Sequence, residues 1–375
     1  MKRCSVSVMD SLCPTFSQDF DGVSNFVYQY KKIVEPRINR IYTNDLNVQK
    51  LVDDIKRSGK GKQYDCILGL SGGLDSSYML HKAVVEYGLR PLVFHVDCGW
   101  NTAQAVSNIK ALVSKLGLEL QTFVPPWDII ADFQLALFKA GIPHLDIPQD
   151  NAFVSVLYKI ARQTKINYIL NGGNIFTEAI PMPYQYYYWG TDPVHVRGIY
   201  GRFGTGDFSR YPFASVFYTK IVFPILTGGR LVKLLNFSPF NYLGAQQELK
   251  DRYGWQGFAQ KHFESRFTRY LEGRFLVERF DLDVRKYQYS SLILCGQLSR
   301  DVALKYLDRP VLTETDVYVE ENFIADKLNI SLDEFHALKQ LPRRYYWDYP
   351  NLSFVLKALG NFAELIGFAR RGASF

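Results

Sequence analysis

Residues 71–77 read Ser-Gly-Gly-Leu-Asp-Ser-Ser, a spacing suited to gripping a polyphosphate. Gly72 and Gly73 carry no Cβ, so the backbone can turn sharply and bring N–H groups against an anion. Ser71, Ser76 and Ser77 add hydroxyl donors. A helix starting at this point would supply uncompensated N–H groups and the positive end of its dipole. Asp75 is a carboxylate beside the expected phosphates, which makes sense if it holds Mg²⁺ and so cancels the repulsion. For SGG alone, a tight turn capped by Ser or Asp is the plainer reading. The full seven residues between a strand and a helix favour the phosphate grip. No Gly-Lys-Ser/Thr follows, so this is not a Walker loop.

Three other clusters could share that chemistry. In HVDCGWN, Asp97 ends an apolar run, where it either reads adenine or ribose or caps a turn. NGGNIFTE offers Gly172, Gly173, Asn174, Thr177 and Glu178, with Glu178 the candidate for sharing Mg²⁺ with Asp75; a glutamate at a helix start is the competing reading. In KHFESR, Lys261, His262, Glu264 and Arg266 combine two fixed cations with a titratable imidazole and a carboxylate. If that stretch is helical, Lys261 and Glu264 are neighbours one turn apart. Lys261 and Arg266 would then face phosphates, with His262 or Glu264 near the reacting group, or the stretch is a solvated helix face. Arg285 and Lys286 are weaker candidates.

These residues need a scaffold, and the apolar pattern supplies one. Strands are predicted at 65–70, 91–96, 120–124 and 168–171, with helices at about 76–88, 102–116, 128–139 and 152–164. Asn101 or Thr102 can cap the second helix, and Gly88 and Gly117 close two of them. The alternation predicts an α/β fold: a doubly wound parallel sheet that binds ligands beyond the carboxyl ends of its strands. We expect a short N-terminal segment (1–60), an ATP-binding α/β domain (61–180), an aromatic-rich irregular segment (181–240) and a C-terminal helical region (241–375). Tyr184 to Trp189 with Arg197, Arg202 and Arg210 could stack a base or sugar and bind a diphosphate. Aromatic core under a long loop is the reading we prefer. His95 and His195 stand isolated and are assigned no role.

Composition narrows the partners less sharply. A net charge of +7 over 375 residues fits an anionic ligand, or an ordinary solvated surface. Five scattered cysteines, with Cys66 and Cys98 in or beside strand-like runs, suit reduced thiols. The longest apolar stretch, 216–226, is about half the ~20 residues a membrane span needs and contains Lys220. We read no signal peptide and no membrane span, and expect a cytoplasmic protein.

The loop resembles that of the pyrophosphatase-type (PP-loop) ATP-binding enzymes, such as GMP synthetase, asparagine synthetase, tRNA thiolases and lysidine synthetases. The resemblance implies cleavage of ATP between the α and β phosphates. The stretches HVDCGWNTAQAVSNI, IPQDNAFVSVLYKIA, ILNGGNIFTE, YGWQGFAQKHFESRFTRYLEGRF and SSLILCGQLSR, spanning about residues 60 to 310, are similar to the N-acetyl sugar amidotransferases of the WbpG-like and PseA-like kind. That family implies conversion of an acetamido group to an acetamidino group. For the WbpG-like branch it implies a UDP-linked diacetamido uronic acid destined for O-antigen lipopolysaccharide. It also implies ammonia from a HisH-like glutaminase coupled to a HisF-like partner. Relatives often begin with two Cys-x-x-Cys pairs; here Ser7, Ser24 and Val27 stand where three of those thiolates would fall. We therefore expect the segment to keep a similar path without structural zinc. The alternative is a tRNA-modifying PP-loop enzyme adenylating a base. It would need an RNA domain or catalytic cysteines after the fourth strand, and neither is recognisable, so no nucleic-acid partner is expected. A non-catalytic nucleotide-binding subunit would not need Asp75.

Overall fold

The computed structural model describes residues 2–43 and 47–365. Five strands, β1 (Cys66–Gly69), β2 (Pro91–Val96), β3 (Leu120–Phe123), β4 (Tyr168–Leu170) and β5 (Arg230–Val232), form one parallel sheet in the order β3-β2-β1-β4-β5. Alternate residues of the strands feed opposite faces, as the two-residue period demands. Leu68, Val93 and Leu170 pack with Leu80 of helix Leu74–His81 and Ile109 of helix Ala103–Lys115. On the other face Ile67, Leu92, Phe94 and Ile169 pack against Val156 and Leu157 of helix Ile147–Thr164. The sheet is doubly wound.

Local chemistry sets the ends of these elements. Thr102, rather than Asn101, caps the second helix by accepting from the Ala105 N–H at 3.1 Å. Gly141 stops helix Trp127–Ala140 in the left-handed region, at φ 67°.

The sequence pattern misses one strand. The segment 181–240 is not irregular throughout: it holds helix Pro193–Phe203, whose Asp192 cap accepts from Val194 and His195, and the edge strand β5. Three residues at a sheet edge carry too short a period to stand out among aromatics. Most of the aromatics are core: Tyr188 is buried and stacked on Tyr346 with centroids 4.3 Å apart. From Tyr242 onward the described chain is mostly helical, and its apolar faces share the core cluster built on helix Trp127–Ala140.

In the N-terminal segment the buried Cys4 sulfur accepts from the Ser7 and Ser24 N–H groups at 3.4 and 3.3 Å. Burial raises that thiol, and the bonds from Ser24 and Ser7 more than cancel the effect, leaving it below its usual value. All five cysteines are free thiols. No helix among the described residues is long and apolar enough to cross a membrane.

Candidate active site

Strand order reverses direction between β1 and β4, so the loops leaving them part and open a crevice there. The loop after β1 is the SGG turn. Gly72 takes φ +84°, and a Cβ at that position would lie 2.6 Å from the Ala105 carbonyl oxygen, so only glycine fits. Its own carbonyl is pinned by Trp255 Nε1 at 3.0 Å and Asn108 Nδ2 at 3.2 Å. Gly73 begins the helix without a side-chain cap, so the first N–H groups of Leu74–His81 face the crevice without a capping acceptor. The Ser71 and Ser76 hydroxyls lie 3.1 Å apart beside them.

The loop after β4 packs directly on the first. A Cβ on Gly172 would sit 3.0 Å from the Ser76 nitrogen. Asn174, fully buried, donates to Asp75 Oδ1 at 2.8 Å and accepts from the Phe176 and Thr177 N–H groups at 3.0 Å. Its work is to fix Asp75 rather than to meet a ligand.

The third wall comes from the C-terminal half. Lys261 Nζ lies 3.0 Å from Asp75 Oδ2, 2.8 Å from Glu178 Oε1 and 3.2 Å from Thr177 Oγ1. Partial burial opposes that charge, but the two carboxylates outweigh it and raise the ammonium above its usual range. Burial pushes the Glu178 carboxyl up, but the Lys261 ammonium, with Lys233 helping, holds it below the usual carboxylate range. Asp75 and Glu178 therefore converge on one cationic position, which the Lys261 ammonium occupies. Among the described residues no three His, Cys, Asp or Glu side chains are grouped to hold a metal ion. Two carboxylates completed by phosphate oxygens still suit a hard Mg²⁺ ion, so the donor set fits.

KHFESR is not helical. Residues 261–264 form a turn with His262 at φ +69°, and the helix begins only at Arg266. Lys261 and Glu264 are consequently not an ion pair. Glu264 accepts from Ser71 Oγ at 3.1 Å, held in place by the Glu264 carbonyl accepting from Thr102 N and the Trp100 carbonyl from Arg266 N. His262 Nδ1 bonds Glu272 Oε1 at 3.0 Å; enclosure lowers its basicity, yet Glu272 wins and carries the imidazole up to about 9.

The crevice has two connected lobes. One, of about 300 Å³, lies over Ser71, Gly73, Asp75, Gly173 and Lys261. The other, about 630 Å³, shares Ser71, Ser76, Glu178, Lys261 and Glu264 with it and extends under Tyr187, Asp146 and Glu272.

Residues 264–361 match the family model described as LPS biosynthesis protein WbpG-like, C-terminal domain. The chain carries a WbpG-like C-terminal domain. Its first residue, Glu264, is the one that bonds Ser71 of the phosphate loop. No match was found among the curated proteins. Among solved structures, the chain is similar to NMN synthetase from Francisella tularensis at 14% identity, covering 58% of this chain and 97% of that one, with a TM-score of 0.29. It is similar also to the NH3-dependent NAD synthetase from Campylobacter jejuni at 15% identity, covering 71% and 97%, with a TM-score of 0.30.

Several expected site residues stand elsewhere. Ser77 is fully buried, its N–H bonds the Gly73 carbonyl, and it lines neither lobe. Asp97 is a turn carboxylate, accepting from Gly99 N and Asn101 Nδ2 at 2.8 and 2.9 Å. Within the WbpG-like domain Arg266 pairs with Glu320 and lies over the Phe323 ring, Arg285 binds Asp283, and Lys286 forms a buried pair with Asp10. Arg210 pairs with Asp128, and Arg197 and Arg202 lie over Phe213 and Phe203. None of these arginines lines the crevice.

Residues the sequence reading passes over complete the site. Lys233, at the end of the unrecognised β5, lines both lobes 3.9 Å from Glu178; burial lowers its ammonium despite that carboxylate. Trp255 holds the glycine turn, and its place in YGWQ, just ahead of KHFESR, was the available signal. Asp146, Gln149 and Glu272 give none, being an ordinary helix-start residue and two ordinary helix residues in their local context.

Proposed function

We propose that this protein is an ATP-dependent sugar amidotransferase that adenylates the acetamido oxygen of a UDP-linked diacetamido uronic acid. Ammonia then forms the acetamidino group, with AMP and pyrophosphate as the other products. The observation that carries this reading is the convergence of Lys261 and Asp75 on the uncapped helix start after Gly72 and Gly73. The WbpG-like domain match supports a place in lipopolysaccharide biosynthesis.

An amide carbon is a poor electrophile because its nitrogen donates into the carbonyl. Attack of the amide oxygen on Pα breaks the bond to the bridging oxygen, and pyrophosphate leaves with that electron pair. The loop N–H groups and the Ser71 and Ser76 hydroxyls are placed to receive it, with Lys261 and Lys233 adding charge where it develops. Mg²⁺, held by Asp75 and Glu178, would neutralise the phosphates as their charge grows. Ammonia then adds to the activated carbon, the C–O bond breaks toward AMP, one proton is released, and the product keeps an amidinium charge. Water would attack the same carbon, so the second lobe must enclose it. Ammonia comes from a separate HisH-like glutaminase coupled to a HisF-like partner.

The test is incubation with Mg-ATP, ammonium and acetamido sugar nucleotides, following AMP and product basicity. AMP appearing with tRNA, and never with an acetamido sugar nucleotide, would transfer the reading to base modification.

A further inference from the structure

The wall of the larger lobe that Asp146 and Glu272 share is acidic, and one of its carboxyl oxygens has no hydrogen-bond partner among the described residues. Glu272 is 5% exposed. Its Oε1 accepts from His262 Nδ1 at 3.0 Å and from the Tyr187 hydroxyl at 3.4 Å. Its Oε2 is buried with no hydrogen-bond partner among the described residues, and the side chain lines the lobe. A buried carboxyl oxygen left bare is costly, so it marks a missing donor. Asp146 stands in the same wall, with Gln149 Nε2 donating to it at 2.5 Å and to Thr268 Oγ1 at 2.9 Å.

We propose that Glu272 and Asp146 form a subsite for ammonium, which passes one proton to these carboxyl groups to become the ammonia nucleophile of the reaction above; this assignment rests on that reading. An N–H cation is the donor that Glu272 Oε2 lacks, and Asp146 and His262 line the same lobe as Glu272. Lys261, which touches Asp75, lines the same lobe, so the subsite shares its cavity with that pair. Charge agrees: burial, then Asp150 and Glu272, hold the Asp146 carboxyl well above its usual range, the behaviour of a site short of positive charge.

The experiment uses the full chain and ammonium chloride as the probe. Melting temperature is measured in ammonium chloride against sodium chloride at equal ionic strength, for the wild type and for Glu272→Gln. The ammonium KM is measured in parallel with the ATP KM. We expect an ammonium-specific rise in Tm that Glu272→Gln abolishes, and an ammonium KM roughly tenfold or more higher in the variant with the ATP KM unmoved. If Glu272→Gln does not fold, the wild-type comparison decides alone. Equal melting in the two salts, or an unchanged ammonium KM, overturns the subsite. Failure to make AMP from any acetamido sugar nucleotide sinks the reaction instead, and the melting comparison still reads the subsite independently.

Discussion

Lys261 Nζ stands 3.0 Å from Asp75 Oδ2, joining the turn that precedes the WbpG-like domain to the first helix of the sheet. The same ammonium holds Glu178 after β4, so one cation ties together three segments that the chain leaves far apart. Removing it leaves two carboxylates facing each other across the crevice. Lys261→Met should lower AMP formation by about a hundredfold or more, measured as initial rate at saturating Mg-ATP. An unchanged rate would make this pair merely structural.

Asp75 is the carboxylate that both Asn174 and Lys261 orient. Asp75→Ala should abolish turnover, and Asn174→Ala should lower kcat with a smaller effect, because it loosens Asp75 without removing it. Progress curves of pyrophosphate release check both, and full activity in Asp75→Ala would remove its metal role.

Gly72 combines a φ of +84° with no room for a Cβ against Ala105. Gly72→Ala should destabilise the fold by about 1–3 kcal/mol and impair ATP binding together, as read by denaturant midpoint and by nucleotide titration. Trp255→Phe separates the two effects: it keeps an aromatic ring but loses the pyrrole ring and its bond to the Gly72 carbonyl, so about 1–3 kcal/mol of stability should go with a few-fold rise in the ATP KM.

The parts of this site legible in the sequence are those whose chemistry is local. The SGG turn, the first four strands in chain order and the NGG turn are each announced by glycine and apolar runs within a few residues. Lys261 is legible by residue type but not by geometry: the helical spacing weighed for KHFESR does not form, since residues 261–264 turn and His262 adopts a positive φ. Ser77 and Asp97 have the right residue types beside the right loops, and only the direction of the helix and the turn at Gly99 show that they face away. Lys233 and Glu272 were missed because their roles exist only once a three-residue edge strand and a distant helix are folded onto the crevice.

His262 is held up to about 9 by Glu272. A raised imidazole stabilises the folded chain fully below its ordinary value, and that contribution disappears as pH climbs through about 9. The Tm advantage of the wild type over His262→Gln should therefore be largest near about pH 6 and shrink toward zero in alkali. An advantage that grows with pH would reverse the assignment.

The most direct test of the account is where ATP breaks. With Mg-ATP, ammonium and a UDP-linked diacetamido uronic acid, the protein should release AMP and pyrophosphate in equal amounts with one acetamidino product, and Lys261→Met should release almost none. ADP and phosphate in their place, or AMP release indifferent to Asp75 and Lys261, would contradict it.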